Sequence, residues 1–279
     1  MIRPDLGLVP PVSMPDLSAA IPTVPTVLPA PLAPDDSPLP PPPPRVFITG
    51  ATGFLGRPLA SALVARGCEV RALVRPGSEA RLPAGCTAVV GDALVGESYA
   101  AAVSPGDVFV HLVGVAHPSP RKALAFRTVD LASVEGAARV ARARGVGRFV
   151  YLSVAQPAPL MKAYVEARAA GEAAVAALGI PATFLRPWYV LGPGRRWPLL
   201  LAPLYFLAWW APGSRATARR LGLCRRADMV AALLAAVGSR APGVAILDVP
   251  AIRRLGRTAR PALSLPSPAP GATITRSWR

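Results

Sequence analysis

Short, mostly apolar runs at 46–48, 69–74, 87–90, 107–113, 148–153, 182–186 and 244–249 punctuate the middle of this chain. Runs of this length, rich in β-branched and aromatic residues, predict strands buried on both faces. Between them apolar residues recur at helical spacing: Leu59, Ala62 and Leu63 follow the first run, and Leu131, Val134, Ala138 and Ala141 follow the fourth. Residues 164–178 predict a further helix, and Gly67, Gly145 and Gly179 sit where these helices should stop. Asp228 is placed to cap a last helix running to Val237. The alternation predicts an α/β fold: a Rossmann-type doubly wound parallel sheet with right-handed crossovers, helices on both faces and a small C-terminal substrate-side appendage at about 187–226. In such a sheet ligands bind beyond the carboxyl ends of the strands.

The first predicted strand breaks into TGATGFLG, from Thr49 to Gly56, and then into the first predicted helix, where Pro58 falls in the opening turn. Gly50 allows a tight turn, Gly53 lets backbone approach a pyrophosphate, and Gly56 permits helix and strand to pack closely. The helix start adds free N–H groups and the positive end of its dipole. This motif in a βαβ setting predicts a bound dinucleotide, with Gly50, Thr52, Gly53, Phe54, Leu55 and Gly56 as its candidate contacts.

Both ends differ in composition. Residues 1–44 hold fifteen of the 35 prolines, five of them consecutive from Pro40 to Pro44, and show no helical period. They read as a disordered proline-rich tail, either an inert leader or a ligand for a proline-recognising module. Residues 251–279 carry six arginines and no acidic residue and read as a disordered basic tail. That leaves 45–250 as one folded domain. A net charge of +16 invites a nucleic-acid reading, but the arginines are dispersed and no nucleic-acid motif occurs, so no specific nucleic-acid partner is expected. Cys68, Cys86 and Cys224 lack metal-ligand spacing and suit a reducing compartment. The N-terminus has no basic region followed by an apolar core, which makes the cytoplasm the default location. His111 and His117 are the only histidines and read as core or cofactor-side residues, so no metal is expected. Neither a GxSxG elbow nor a GK[ST] loop is present, against hydrolase and NTPase readings.

Over about 45–250 the chain resembles the short-chain dehydrogenase/reductase superfamily, in its extended and atypical branches of epimerase-like and NmrA-like NAD(P)-binding proteins. The resemblance rests on TGATGFLG, on GDA at 91–93, on RFVYLS at 148–153, on Tyr164 with Arg168 four residues later, and on LRPWYVLGPG at 185–194. It implies that Arg75, with Arg71 nearby, meets the adenosine ribose and accommodates the extra phosphate of NADP, with NAD the alternative. It implies that Asp92 and Ala93 border the adenine, that Val113 and Gly114 lie beside the ribose, and that Arg186, counted with the cofactor contacts, helps turn the chain past the nicotinamide.

The family's redox members use a strand-end serine, a tyrosine as acid/base and a lysine four residues on; Ser153 and Tyr164 match, and Arg168 stands where the lysine would. Positions four apart share a helix face, so Arg168 can supply the positive charge that Tyr164 needs, whereas Lys162 falls on the wrong side. Arginine keeps its proton and offers a planar fork, so Ser153, Tyr164 and Arg168 either form a working site or merely pack beside the cofactor. Residues 197–210 are uncharged and crowded with Trp197, Tyr205, Phe206, Trp209 and Trp210. They fit a lid helix, an apolar pocket wall or a peripheral membrane contact, being too short to span a bilayer. The function implied is that of an NADP-dependent oxidoreductase or epimerase-like enzyme acting on a largely apolar carbonyl or alcohol. The alternative is an inactive dinucleotide-binding regulator or assembly factor.

Overall fold

The computed structural model describes residues 42–158, 161–194 and 220–263. The stretch 1–41, most of the expected proline-rich tail, lies outside them, as do 264–279 and the aromatic segment 197–210. Nine strands run in chain order among the described residues: β1 Val46–Thr49, β2 Val70–Val74, β3 Cys86–Val90, β4 Val108–His111, β5 Arg148–Leu152, β6 Ala182–Arg186, β7 Tyr189–Leu191, β8 Leu223–Arg225 and β9 Val244–Asp248. Seven form one all-parallel sheet in the order β3-β2-β1-β4-β5-β6-β9, and β7 pairs with β8 in a separate parallel pair. The seven sheet strands fall on the seven apolar runs to within two residues. The pair β7 and β8 was not predicted, because three-residue strands carry too little pattern to register.

Register places like residues in rows across the sheet. Phe47, Phe109 and Phe149 are direct partners on β1, β4 and β5, their rings 5.2 and 5.1 Å apart. Two residues further along, Thr49, His111, Tyr151 and Phe184 form the next row on the same face. Helices α2 (Glu97–Ala100), α4 (Ala132–Ala143) and α5 (Lys162–Ala176) cover that face, with Tyr99, Val134, Ala138 and Val175 buried against the rings. Helix α4 follows the single turn α3 (Ala123–Ala125) and a π turn at Phe126–Leu131.

On the opposite face Val46, Ile48, Val110, Val150 and Leu185 pack beneath α1 (Gly56–Val64), α6 (Arg226–Gly238) and α7 (Val249–Leu263), which contribute Leu59, Leu63, Met229, Leu233 and Ile252. Helix α7 corrects the expected boundary at 250, since the first part of the supposed basic tail is helical. Its arginines obscured an apolar stripe in which Val249, Ile252 and Leu255 recur at helical spacing. Asp228 caps α6 as expected, though from its third position: its carboxylate accepts the Arg225 amide at 3.4 Å as part of a capping box. Among the described residues no helix is long and apolar enough to cross a membrane.

Strand β1 and helix α1 are joined without slack. A Cβ on Gly56 would overlap the Gly50 carbonyl oxygen and lie 2.7 Å from Ala51 Cα, whereas one on Gly238 would meet nothing within 4 Å. Gly56→Ala is therefore expected to cost about 1–3 kcal/mol of unfolding free energy in urea titration, and Gly238→Ala to stay within about 0.5 kcal/mol of the parent.

Candidate functional site

Because all seven sheet strands are parallel, the turns after β1, β2, β3, β4, β5 and β6 share one edge, and almost every residue singled out by the sequence lies there. The first is a glycine turn. Gly50 holds a φ of +82°, and Gly53 donates its amide to the Gly50 carbonyl at 3.1 Å. Gly53 is exposed, and a Cβ there would touch nothing but that carbonyl, so the outer surface of the turn is bare backbone. Leu55 precedes α1 with no side-chain cap, but the Arg57 amide donates to the Gly53 carbonyl at 3.1 Å and Pro58 has none, so what α1 offers an anion is chiefly the positive end of its dipole behind the bare turn. The turn thus fits a diphosphate. Thr52 is half-buried, Leu55 and Gly56 are buried, and Phe54 points towards the appendage, where Gly192 closes on its ring and the Arg226 guanidinium lies 5.4 Å from its centre.

Arg75 follows β2 and is exposed. Arg71, on β2 itself, belongs elsewhere. Its guanidinium binds Asp107 at 2.7 Å, Ser104 Oγ at 3.0 Å and the Ala102 carbonyl at 2.5 Å, at the amino end of β4. The expectation that Arg71 assists Arg75 is therefore corrected: it braces the opposite edge of the sheet, where Asp107 also takes Arg45 at 3.1 Å. Asp92 is exposed after β3 and accepts the Leu94 amide at 2.9 Å, with Ala93 half-buried beside it. Val113 is half-buried and Gly114 exposed after β4.

Tyr164 and Arg168 occupy adjacent turns of α5, and the π turn opposite delivers a matching pair four residues apart. The Phe126 ring packs on Tyr164 at 4.9 Å, and Asp130 binds Arg168 Nη2 at 2.5 Å. Arg168 also donates Nη1 to the Leu152 carbonyl at 2.8 Å, and its guanidinium lies 5.3 Å from the Tyr164 ring centre and 5.7 Å from that of Tyr151. Both ends of the ion pair are closed to solvent, with side-chain exposures of 4% for Arg168 and 0% for Asp130. Burial opposes the charge on Arg168, but Tyr164, Tyr151 and Asp130 outweigh it and raise its pKa. Burial pushes the Asp130 carboxyl upward, while Arg168 and the Val115 amide pull it back. Ser153 is buried after β5, and its Oγ has no hydrogen-bond partner among the described residues. Lys162 opens α5 and is exposed.

Asp130 and Phe126 were not anticipated. They stand four and eight residues before Val134, on its helix face, but nothing in the sequence marks that carboxylate as the partner of Arg168. Arg186 also takes a different part from the one expected. It binds Glu172 of α5 through Nε at 2.9 Å and Nη2 at 2.5 Å, so its guanidinium braces β6 against α5 instead of facing a ligand.

A buried polar string links this pair to the glycine turn. Thr49 Oγ1 lies 2.9 Å from His111 Nδ1, Ser133 Oγ lies 3.3 Å from Nε2, and Ser133 donates to the Asp130 carbonyl at 3.1 Å. A neutral imidazole satisfies all three contacts, accepting from Thr49 and donating to Ser133. Burial, helped by the Arg168 charge, pushes the His111 pKa down to about 3.

Comparison with known proteins places these features in a wider set. A family described as NAD(P)H-binding matches residues 50–195. The ceramide reductase of Caulobacter vibrioides is 32% identical over 215 residues, which is 76% of this chain and 66% of that protein. A 3-beta-hydroxysteroid dehydrogenase of Mycolicibacterium neoaurum is 34% identical over 113 residues, 38% of this chain and 31% of that protein. The chain thus spans less than two thirds of the length of these curated relatives. Among solved structures, the Bordetella bronchiseptica enzyme WbmH in complex with NAD+ matches with a TM-score of 0.56 at 20% identity, over 80% of this chain and 82% of that one, a likeness of fold.

His111 supplies a test in solution. Its folded pKa is depressed below the ordinary 6.5, so the unfolded chain takes up a proton that the folded one refuses. The stabilisation is complete above that value and is lost as pH falls towards 3, by about 2 kcal/mol at pH 5. Urea titrations at pH 7 and pH 5 should show that loss, and His111→Gln should flatten it.

Proposed function

The chain belongs to the NAD(P)H-binding family and is an NAD(P)-binding protein of the extended, NmrA-like short-chain dehydrogenase/reductase type; from this premise we propose that it is an NADP-dependent reductase of largely apolar carbonyl compounds. The observation that carries the reading is the setting of Tyr164. Its ring faces a shallow cavity of about 140 Å³ whose other walls are Pro120, Phe126, Met161, Lys162 and Ala163. Such a lining favours a hydrocarbon-bearing ketone over a nucleotide sugar. The names of the two relatives, one referring to a ceramide and one to a steroid, point the same way.

In this reading Gly50, Thr52, Gly53, Phe54, Leu55 and Gly56 hold the diphosphate, Arg75 binds the ribose phosphate that distinguishes NADP from NAD, and Asp92, Ala93, Val113 and Gly114 border the adenosine. The bound cofactor supplies the hydride that reduces the carbonyl carbon. Tyr164 donates its phenolic proton to the carbonyl oxygen, so that one ketone becomes one secondary alcohol. The buried Ser153 hydroxyl, lacking a partner among the described residues, is available to hydrogen-bond that oxygen. The folded domain spans 45–263 on this view.

A second reading is favoured by one contact. Arg168 spends its guanidinium on Asp130 and Leu152, and a Tyr164 whose neighbour four residues on is tied down in this way suits a dinucleotide-binding regulator that performs no turnover. The two part in a single assay of NADPH oxidation with long-chain 3-ketones and a 3-oxosteroid. Reductase action predicts turnover that Tyr164→Phe lowers about 100-fold at unchanged NADPH affinity, whereas binding without consumption selects the regulator. Arg75→Ser should weaken NADPH about tenfold and leave NADH within twofold, as read by calorimetry.

A further inference from the structure

The backbone of Gly114 lies so close to Arg168 that a Cβ there would overlap Nη2 and stand 3.0 Å from Asp130 Oδ1. The guanidinium is fixed from beneath by the Leu152 carbonyl and from the side by Asp130, whose second oxygen accepts the Val115 amide at 2.9 Å. One buried carboxylate therefore ties the cation to the loop at 113–115. Arg168 Nε has no partner among the described residues and is closed off from solvent. A planar fork is needed to reach Asp130 and Leu152 together, which a lysine ammonium, as a single point, does poorly.

Resting on the reading that a dinucleotide lies along this edge, we propose that Arg168 and Asp130 are positioning residues acting as one unit through the Gly114 and Val115 backbone. They set the loop against the adenosine ribose, and Arg168 makes no contact with the nicotinamide ribose. On this view the family's lysine grips the ligand, whereas the arginine that replaces it grips the loop. The pair also explains why position 114 has no side chain, since any Cβ would displace the cation that anchors its neighbour.

The test compares NADPH with 2′,5′-ADP, which keeps the adenosine ribose and its phosphate but has no nicotinamide half. Dissociation constants are measured by calorimetry on the full chain for Gly114→Ala, Arg168→Lys and the double variant Asp130→Leu/Arg168→Met. The double variant replaces both charges by apolar groups and so retains the fold even where a single substitution does not. Loss of about tenfold in affinity for both ligands in each variant is the expected result, and Gly114→Ala should add no further loss in the Asp130→Leu/Arg168→Met background. Weakened NADPH with unchanged 2′,5′-ADP would place Arg168 on the nicotinamide side and overturn the proposal. A parent chain that binds both ligands, with Gly114→Ala equally tight, overturns it while leaving the dinucleotide reading intact. A parent that binds neither removes the reading itself.

Discussion

Parallel strands gather all their carboxyl ends along one edge, and the polar groups there that lie beneath the flanking helices are cut off from water. Each must therefore find a partner inside the protein or in a ligand. The row Thr49, His111, Tyr151 and Phe184 lies where this constraint first bites, one step beyond the phenylalanine row. Thr49 and Ser133 satisfy a neutral histidine, Ser133 leads to Asp130, and Asp130 leads to Arg168 and the Val115 amide. The glycine turn is the complementary case, exposed backbone at Gly53 with no side chain above it. One edge thus carries a closed polar string and an open cradle side by side.

The sheet was legible because burial on both faces imposes nearly continuous apolar runs, and seven of those runs became its seven strands. Glycine spacing after β1 was legible for a related reason: close approach of strand and helix excludes side chains, and that exclusion is written directly in the residue types. The pairings of arginine were not legible. Arg71, Arg75, Arg168 and Arg186 look alike in sequence, yet three of them bind carboxylates, Asp107, Asp130 and Glu172, that are distant along the chain. Helix α7 was missed because its arginines suggested a solvated tail, although the spacing of Val249, Ile252 and Leu255 was available. Phe126 and Asp130 sit in a π turn, eight and four residues before Val134, and were missed because a lone carboxylate on an apolar face does not name its partner.

The contrast between Arg168 and Tyr164 bears on how a redox fold changes use. The tyrosine keeps a half-exposed ring beside an apolar hollow, while its neighbour one turn on is sealed beneath the loop after β4. A guanidinium buried with its carboxylate is costly to unpair, so further drift at 168 or 130 requires both positions to change together. On the reductase reading, nucleotide binding and proton supply, which a lysine would serve at once, fall to residues that can vary separately.

The helices that close the α1 side of the sheet come from the far end of the chain. Met229, Leu233, Val249 and Ile252 complete the cluster begun by Val46, Ile48, Leu59 and Leu63, nearly two hundred residues upstream. During synthesis on the ribosome, that apolar surface stays uncovered until α7 has left the exit tunnel, long after β1 and α1 have emerged. The nascent protein accordingly has a lengthy window in which chaperones, or unwanted neighbours, can occupy a face that the finished molecule conceals.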